Sequence, residues 1–112
     1  MALSNDITSY QVILSSHVHN HEWLASIILR QNTMAVIDLR FVVDPASLAS
    51  KSKINATGLS IIYLGIDRYT WFVDILRNEL PLTAVLYSPI GNMPTRLLLH
   101  TGPEPTGENE RE

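Results

Sequence analysis

Three of the chain's four histidines fall within five positions, His17, His19 and His21, and Glu22 follows directly. On an extended backbone, residues two apart project to the same side, so the three imidazoles could converge as strand-borne ligands do. Nitrogen ligands without sulfur suit a Zn²⁺, Ni²⁺ or Co²⁺ ion with one position left open for water. Glu22 would then act as a general base or as a further ligand. The spacing argues the other way. Same-face positions on a straight strand lie about 6 to 7 Å apart, whereas zinc takes nitrogens at about 2.0 to 2.1 Å. Three ligands in a row therefore need a bend or a second segment. A plain polar connection between strands is the simpler assignment, with a metal at His17, His19 and His21 as the alternative. His100 would add a distant ligand only if the last strand lay beside the first.

Other chemistry is sparse. Gly65-Ile66-Asp67 stands where some strand-to-helix turns hold phosphate, but it lacks the further glycines that such loops need. Asp67 would place its own carboxylate at the helix start and repel an anion there, so it reads as a cap. Asp38 and Arg40 share one side of a strand and are expected to form a surface or cross-strand ion pair. Asp74 and Arg77, three apart, fit a solvated pair on a helix. With no cysteine there is no thiolate nucleophile, sulfur ligand or disulfide. No Gly-x-Ser-x-Gly elbow or His-Glu-x-x-His run occurs. Asn55-Ala56-Thr57 matches a glycosylation sequon and, without a secretion signal, is read as fortuitous. Trp23, Tyr63, Tyr69 and Trp71 would suit either a small-molecule pocket or core packing.

These residues must be positioned by a chain of 112 residues that is 46% hydrophobic and 17% charged, enough for one core and too little for a large catalytic architecture. The net charge of −3 resides in residues 103–112, which hold four acids and one base. That segment has no apolar residue with which to offset ordering entropy and is expected to be a disordered acidic tail after a single globular domain at 1–102. The neutral remainder argues against nucleic acid, which calls for clustered bases. No apolar stretch approaches the roughly 18 residues of a membrane span. The absence of a basic flank near the N-terminus argues against a targeting peptide, and a cytoplasmic location is expected.

Alternation of side chains predicts strands at 8–15 and 34–43, with Ile37, Leu39, Phe41 and Val43 on one face of the second. Residues 22–31 fit a helix capped by Asn20 or a strand leading through Asn32-Thr33 into a hairpin; the short link favours the strand. Asp44-Pro45 signals a short helix at 45–50. Residues 59–66 are apolar on both sides, as in a central strand. Asp67 then opens a helix over 67–80, with Tyr69, Phe72, Val73, Leu76 and Leu80 as its buried stripe. Further strands follow at 82–88 and 95–101, the former parallel to 59–66 if the two share a sheet. The fold class is α+β: one mixed, mostly antiparallel sheet of five or six strands, with the main and the short helix packed on one face. Trp71 and Ile75 extend the helix's apolar arc beyond what a single sheet face covers. The expectation is a homodimer joined through Trp71 and Ile75, in a non-catalytic interaction or binding module. A small metal-dependent enzyme at the histidines and a carrier of a small apolar ligand are the alternatives.

Overall fold

The computed structural model describes residues 2–16, 23–44, 51–90 and 95–101. Among them the chain forms strands β1 (Ala2–Ile7), β2 (Ser9–Leu14), β3 (Ala25–Gln31), β4 (Met34–Val42) and β5 (Ser60–Gly65). Helix α1 (Tyr69–Glu79), β6 (Leu82–Tyr87) and β7 (Arg96–His100) complete the order. The class is α+β, but the strands divide between two sheets rather than forming one. A four-stranded sheet runs β2-β3-β4-β5 and a three-stranded sheet runs β1-β6-β7.

The division begins at Thr8. Its N–H donates to the Arg30 carbonyl at 2.9 Å and its hydroxyl accepts from the Asn32 N–H at 2.8 Å. Those bonds pin a corner at which the chain leaves one sheet and enters the other, a known way of joining packed sheets. Strand β1 carries Leu3, Asn5 and Ile7 toward β6 partners Leu86, Ala84 and Leu82. The polar Asn5 in this inward row, between residues with little β-preference, hides the strand's alternation in the sequence.

The hairpin between 22–31 and 34–43 forms as expected. Gln31 pairs with Met34 across the two residues Asn32 and Thr33, and Asn32 takes the positive φ of 58° that asparagine tolerates better than most residues. The register shifts once, since Leu29 faces Ile37 while Arg30 faces Ala35. Val36 is thus the extra residue of a bulge, which adds local twist. β5 then lies parallel to β4, making the four-stranded sheet mixed. Its outer edge is bridged by Lys53, whose backbone exchanges hydrogen bonds with Ile61 at 2.7 and 2.9 Å.

Strands β5 and β6 do not share a sheet, so the expected parallel pairing does not form; α1 carries the chain from one sheet to the other instead. Two further expectations change. Asp67 does not cap α1: it lies in a 3-10 turn, Ile66–Arg68, and neither it nor Arg68 makes a side-chain capping bond. The helix ends at Glu79, because Leu80 turns extended before Pro81. The short helix expected at 45–50 and the tail at 103–112 lie outside the described residues.

Between the sheets sit Ile7, Ile27, Leu29, Ile37, Leu39, Phe41 and Leu86, all fully buried. Helix α1 closes one end of this layer. Leu76 is its fully buried residue, while Tyr69, Phe72, Val73, Ile75 and Leu80 pack against the core from partly exposed positions. Phe41 receives the rings of Tyr69 and Phe72 edge-on at 5.4 and 5.7 Å, an aromatic contact worth roughly 0.5 to 1.5 kcal/mol beyond area burial.

Candidate functional site

Two places concentrate polar or exposed groups that the core does not explain. The first is a buried polar chain on the outer face of the four-stranded sheet. Strand register sets Ser26 opposite Arg40 and, on the other side, Arg40 opposite Tyr63. Asp38, two residues before Arg40 on the same face, completes the set. The Ser26 hydroxyl donates to Asp38 Oδ1 through a short hydrogen bond. Arg40 Nε donates to Asp38 Oδ2 at 3.1 Å, and Arg40 Nη1 donates to the Tyr63 hydroxyl oxygen at 3.1 Å. Beyond it, the Tyr63 N–H donates to Ser52 Oγ at 2.9 Å.

This corrects the expectation of a surface pair: Asp38 is buried at 7% exposure. Burial by itself would loosen the proton on Arg40. Hydrogen bonds to Tyr63 and Asp38, together with the Asp38 charge, outweigh it and hold the guanidinium more firmly protonated than usual. Chemically the set is closed. Ser26 is 2% exposed, so its hydroxyl is out of reach of a substrate carbonyl, and the carboxylate that would activate it is already bonded to a fixed cation. The arrangement fixes the register of three strands.

The second place is an open groove beside α1. The core-facing side of the helix is spoken for by Phe72 and Leu76, and Trp71, about 100° round the helix from Phe72, is left facing outward. It is 68% exposed, the largest uncovered aromatic among the described residues. Phe72, Ile75 and Leu99 of β7 line the groove below it, Arg68 closes one end, and the volume is about 220 Å³. The Arg68 guanidinium stands 5.5 Å from the Trp71 ring centroid, within cation–π range. Of the two expected interface residues, then, Trp71 is uncovered and Ile75 is half-buried in the groove floor.

His17, His19, His21 and Glu22 lie outside the described residues. Among the described residues no three histidines or carboxylates gather as a metal site. His100 stands exposed on β7 and donates Nδ1–H to the Thr101 carbonyl at 3.1 Å. Asp74 and Arg77 are exposed on α1 as expected. The aromatic residues do not form a common pocket: Tyr63 ends the polar chain, Tyr69 stacks on Phe41 and Trp71 points outward. Asn55 uses its side-chain oxygen to accept from the Thr57 N–H and hydroxyl at 3.1 and 3.2 Å, an Asx-type turn that accounts for the sequon residues structurally. No helix among the described residues is long and apolar enough to cross a membrane.

The polar chain escaped sequence reasoning because it depends on register: Ser26 and Tyr63 belong to strands whose alignment with β4 no local pattern reveals. The signal that was present is the pair Asp38 and Arg40 inside an otherwise apolar strand. Leu99 as a wall of the groove carried no signal. No protein-family model, curated protein or solved structure matches this chain.

Proposed function

We propose that the chain is a non-catalytic interaction module that self-associates through the outward face of α1. The observation carrying this reading is Trp71, 68% exposed above an open apolar groove floored by Phe72 and Ile75. A tryptophan held on a rigid helix beside an apolar depression has the make-up of an interface anchor: large area, few rotatable bonds, one polar tip. The closed polar chain around Asp38 supports the non-catalytic part, since its serine, carboxylate and guanidinium satisfy one another. The evenly balanced charge outside residues 103–112 favours a protein partner over nucleic acid, and a cytoplasmic location goes with that reading.

Gel filtration with light scattering tests it. At tens of micromolar the protein should elute with twice its chain mass of 12.6 kDa, and Trp71→Asp should elute with the single-chain mass and an unchanged circular dichroism spectrum. A parent that stays single-chain throughout the micromolar range overturns the reading.

A further inference from the structure

Two arginines line one depression and have no acidic partner. Arg68 directly precedes α1 and Arg96 opens β7; both are exposed, and neither meets a carboxylate among the described residues. Each is laid over an aromatic ring instead. Arg68 stands over Trp71, and the Arg96 guanidinium stands 4.9 Å from the ring centroid of Tyr87, its cross-strand partner. A guanidinium over a ring is held in place yet keeps the N–H donors of its edge for an oxyanion.

The depression is open and holds about 590 Å³, within the roughly 300 to 1,000 Å³ of small-molecule sites. Besides the two arginines and the Tyr87 ring, Thr95 contributes a hydroxyl and Leu97 and Leu98 an apolar surface. Among the described residues no carboxylate lines it. Asp67, the chain neighbour of Arg68, lines a different depression with Tyr63 and Gly65 and forms no ion pair with Arg68. The lining thus carries two positive charges and no negative one. From this we infer that the depression binds a small phosphate monoester, its dianionic head between Arg68 and Arg96 and its organic body over Leu97 and Leu98. Of the described residues only Arg68 also lines the Trp71 groove, and the site stands whether or not the chain self-associates.

Charge and oxygen count select the head group. Two unpaired cations match a doubly charged ligand, and a phosphate monoester carries about −1.5 to −2 at pH 7. It also offers three acceptor oxygens to the three donor groups present, the two guanidiniums and the Thr95 hydroxyl, whereas a carboxylate offers two oxygens and one charge. A nucleic-acid phosphate is a diester with a single charge, and its binding calls for a larger cluster of bases. The floor selects the rest of the molecule. Leu98 is 48% exposed, and an organic body covers it where inorganic phosphate would leave it wet.

Titrating the full chain, isotopically labelled, with phenyl phosphate and following amide and arginine Nε–H shifts by NMR tests the site. The shifts should saturate with a Kd of about 1 mM or tighter and centre on Arg68 and residues 95–98. Benzoate, with the same ring and one charge, and inorganic phosphate, with the same head and no ring, should each bind about tenfold more weakly or worse. Arg68→Met and Arg96→Met should each cost about tenfold in affinity, while Arg77→Met, exposed on α1 and outside the depression, should cost nothing. Circular dichroism checks that each variant is folded. Arg96→Lys, which keeps the charge without the planar fork, should lose several-fold and preserves the test if methionine disturbs the strand. Three results would each overturn the inference: no saturating shift at about 10 mM phenyl phosphate, benzoate binding as tightly, or methionine variants that bind like the parent. A phosphotyrosine peptide binding more than about tenfold more tightly than phenyl phosphate would overturn the small-molecule source.

Discussion

Replacing Asp38 by alanine probes the polar chain at its centre. The substitution removes the acceptor of two hydrogen bonds at once, orphaning the 2%-exposed Ser26 hydroxyl and the Nε–H of Arg40. Breaking a buried ion pair from one side costs about 3 to 5 kcal/mol, and an orphaned buried hydroxyl about 1 to 3. The Arg40 side chain keeps 27% of its surface in contact with solvent and can recruit water, which lowers the total. The expected loss is therefore about 2 to 3 kcal/mol, or a fall in Tm of about 10 °C for a domain of this size. Urea unfolding followed by tryptophan emission and circular dichroism measures it, with an unchanged m-value showing that the two end states are the same. Asp38→Asn keeps an acceptor for Ser26 and should lose roughly half as much. Arg40→Met should couple with Asp38→Ala by about 1 to 2 kcal/mol in a double-mutant cycle. The pH dependence has a definite sign. The folded protein raises the proton affinity of Arg40, so its contribution is complete at every pH below the guanidinium's ordinary range and is lost only in strongly alkaline solution. The cost of Arg40→Met should accordingly not fall between neutral pH and moderately alkaline pH. An Asp38→Ala protein within about 0.5 kcal/mol of the parent, the range of ordinary surface changes, would refute the reasoning.

Leu76→Ala removes the one fully buried residue of α1 and should destabilise by about 2 to 5 kcal/mol in the same unfolding assay. Trp71→Asp alters an exposed side chain and should shift stability by less than about 0.5 kcal/mol when both proteins are measured dilute enough to be single-chain, while abolishing the dimer in light scattering at higher concentration. At Asn32, with φ at 58°, valine should cost about 1 to 2 kcal/mol and glycine should change Tm little, because a β-branched side chain meets its own backbone in the left-handed region.

Legibility in the sequence followed the range of the interactions. The β3–β4 hairpin, the apolar β5 and the stripe of α1 are set by neighbours in the chain: the short link at Asn32-Thr33 located the first, an unbroken apolar run the second and helical spacing the third. Strand β1 was invisible because Asn5 occupies an inward position, where it donates to the Gln31 side chain at 3.4 Å rather than packing as a hydrophobe. The division into two sheets was equally hidden, since it turns on Thr8 reaching backbone groups of Arg30 and Asn32 more than twenty residues away. Asp67 follows the rule for a helix cap by type and position, yet the chain tightens there into a 3-10 turn that makes no side-chain capping bond. The candidate interface was half legible. Trp71 stood out on the helical wheel, but Leu99 as a wall of its groove is a tertiary product of strand order.

Amide hydrogen exchange of the unmodified protein, compared between micromolar and hundreds of micromolar concentration, tests the central claim most directly. Self-association through the outward face of α1 predicts that the amides of Tyr69–Glu79 exchange at least tenfold more slowly in the concentrated sample, while those at the hairpin end, Gln31 and Met34, are unchanged. Identical exchange along α1 at the two concentrations would contradict it.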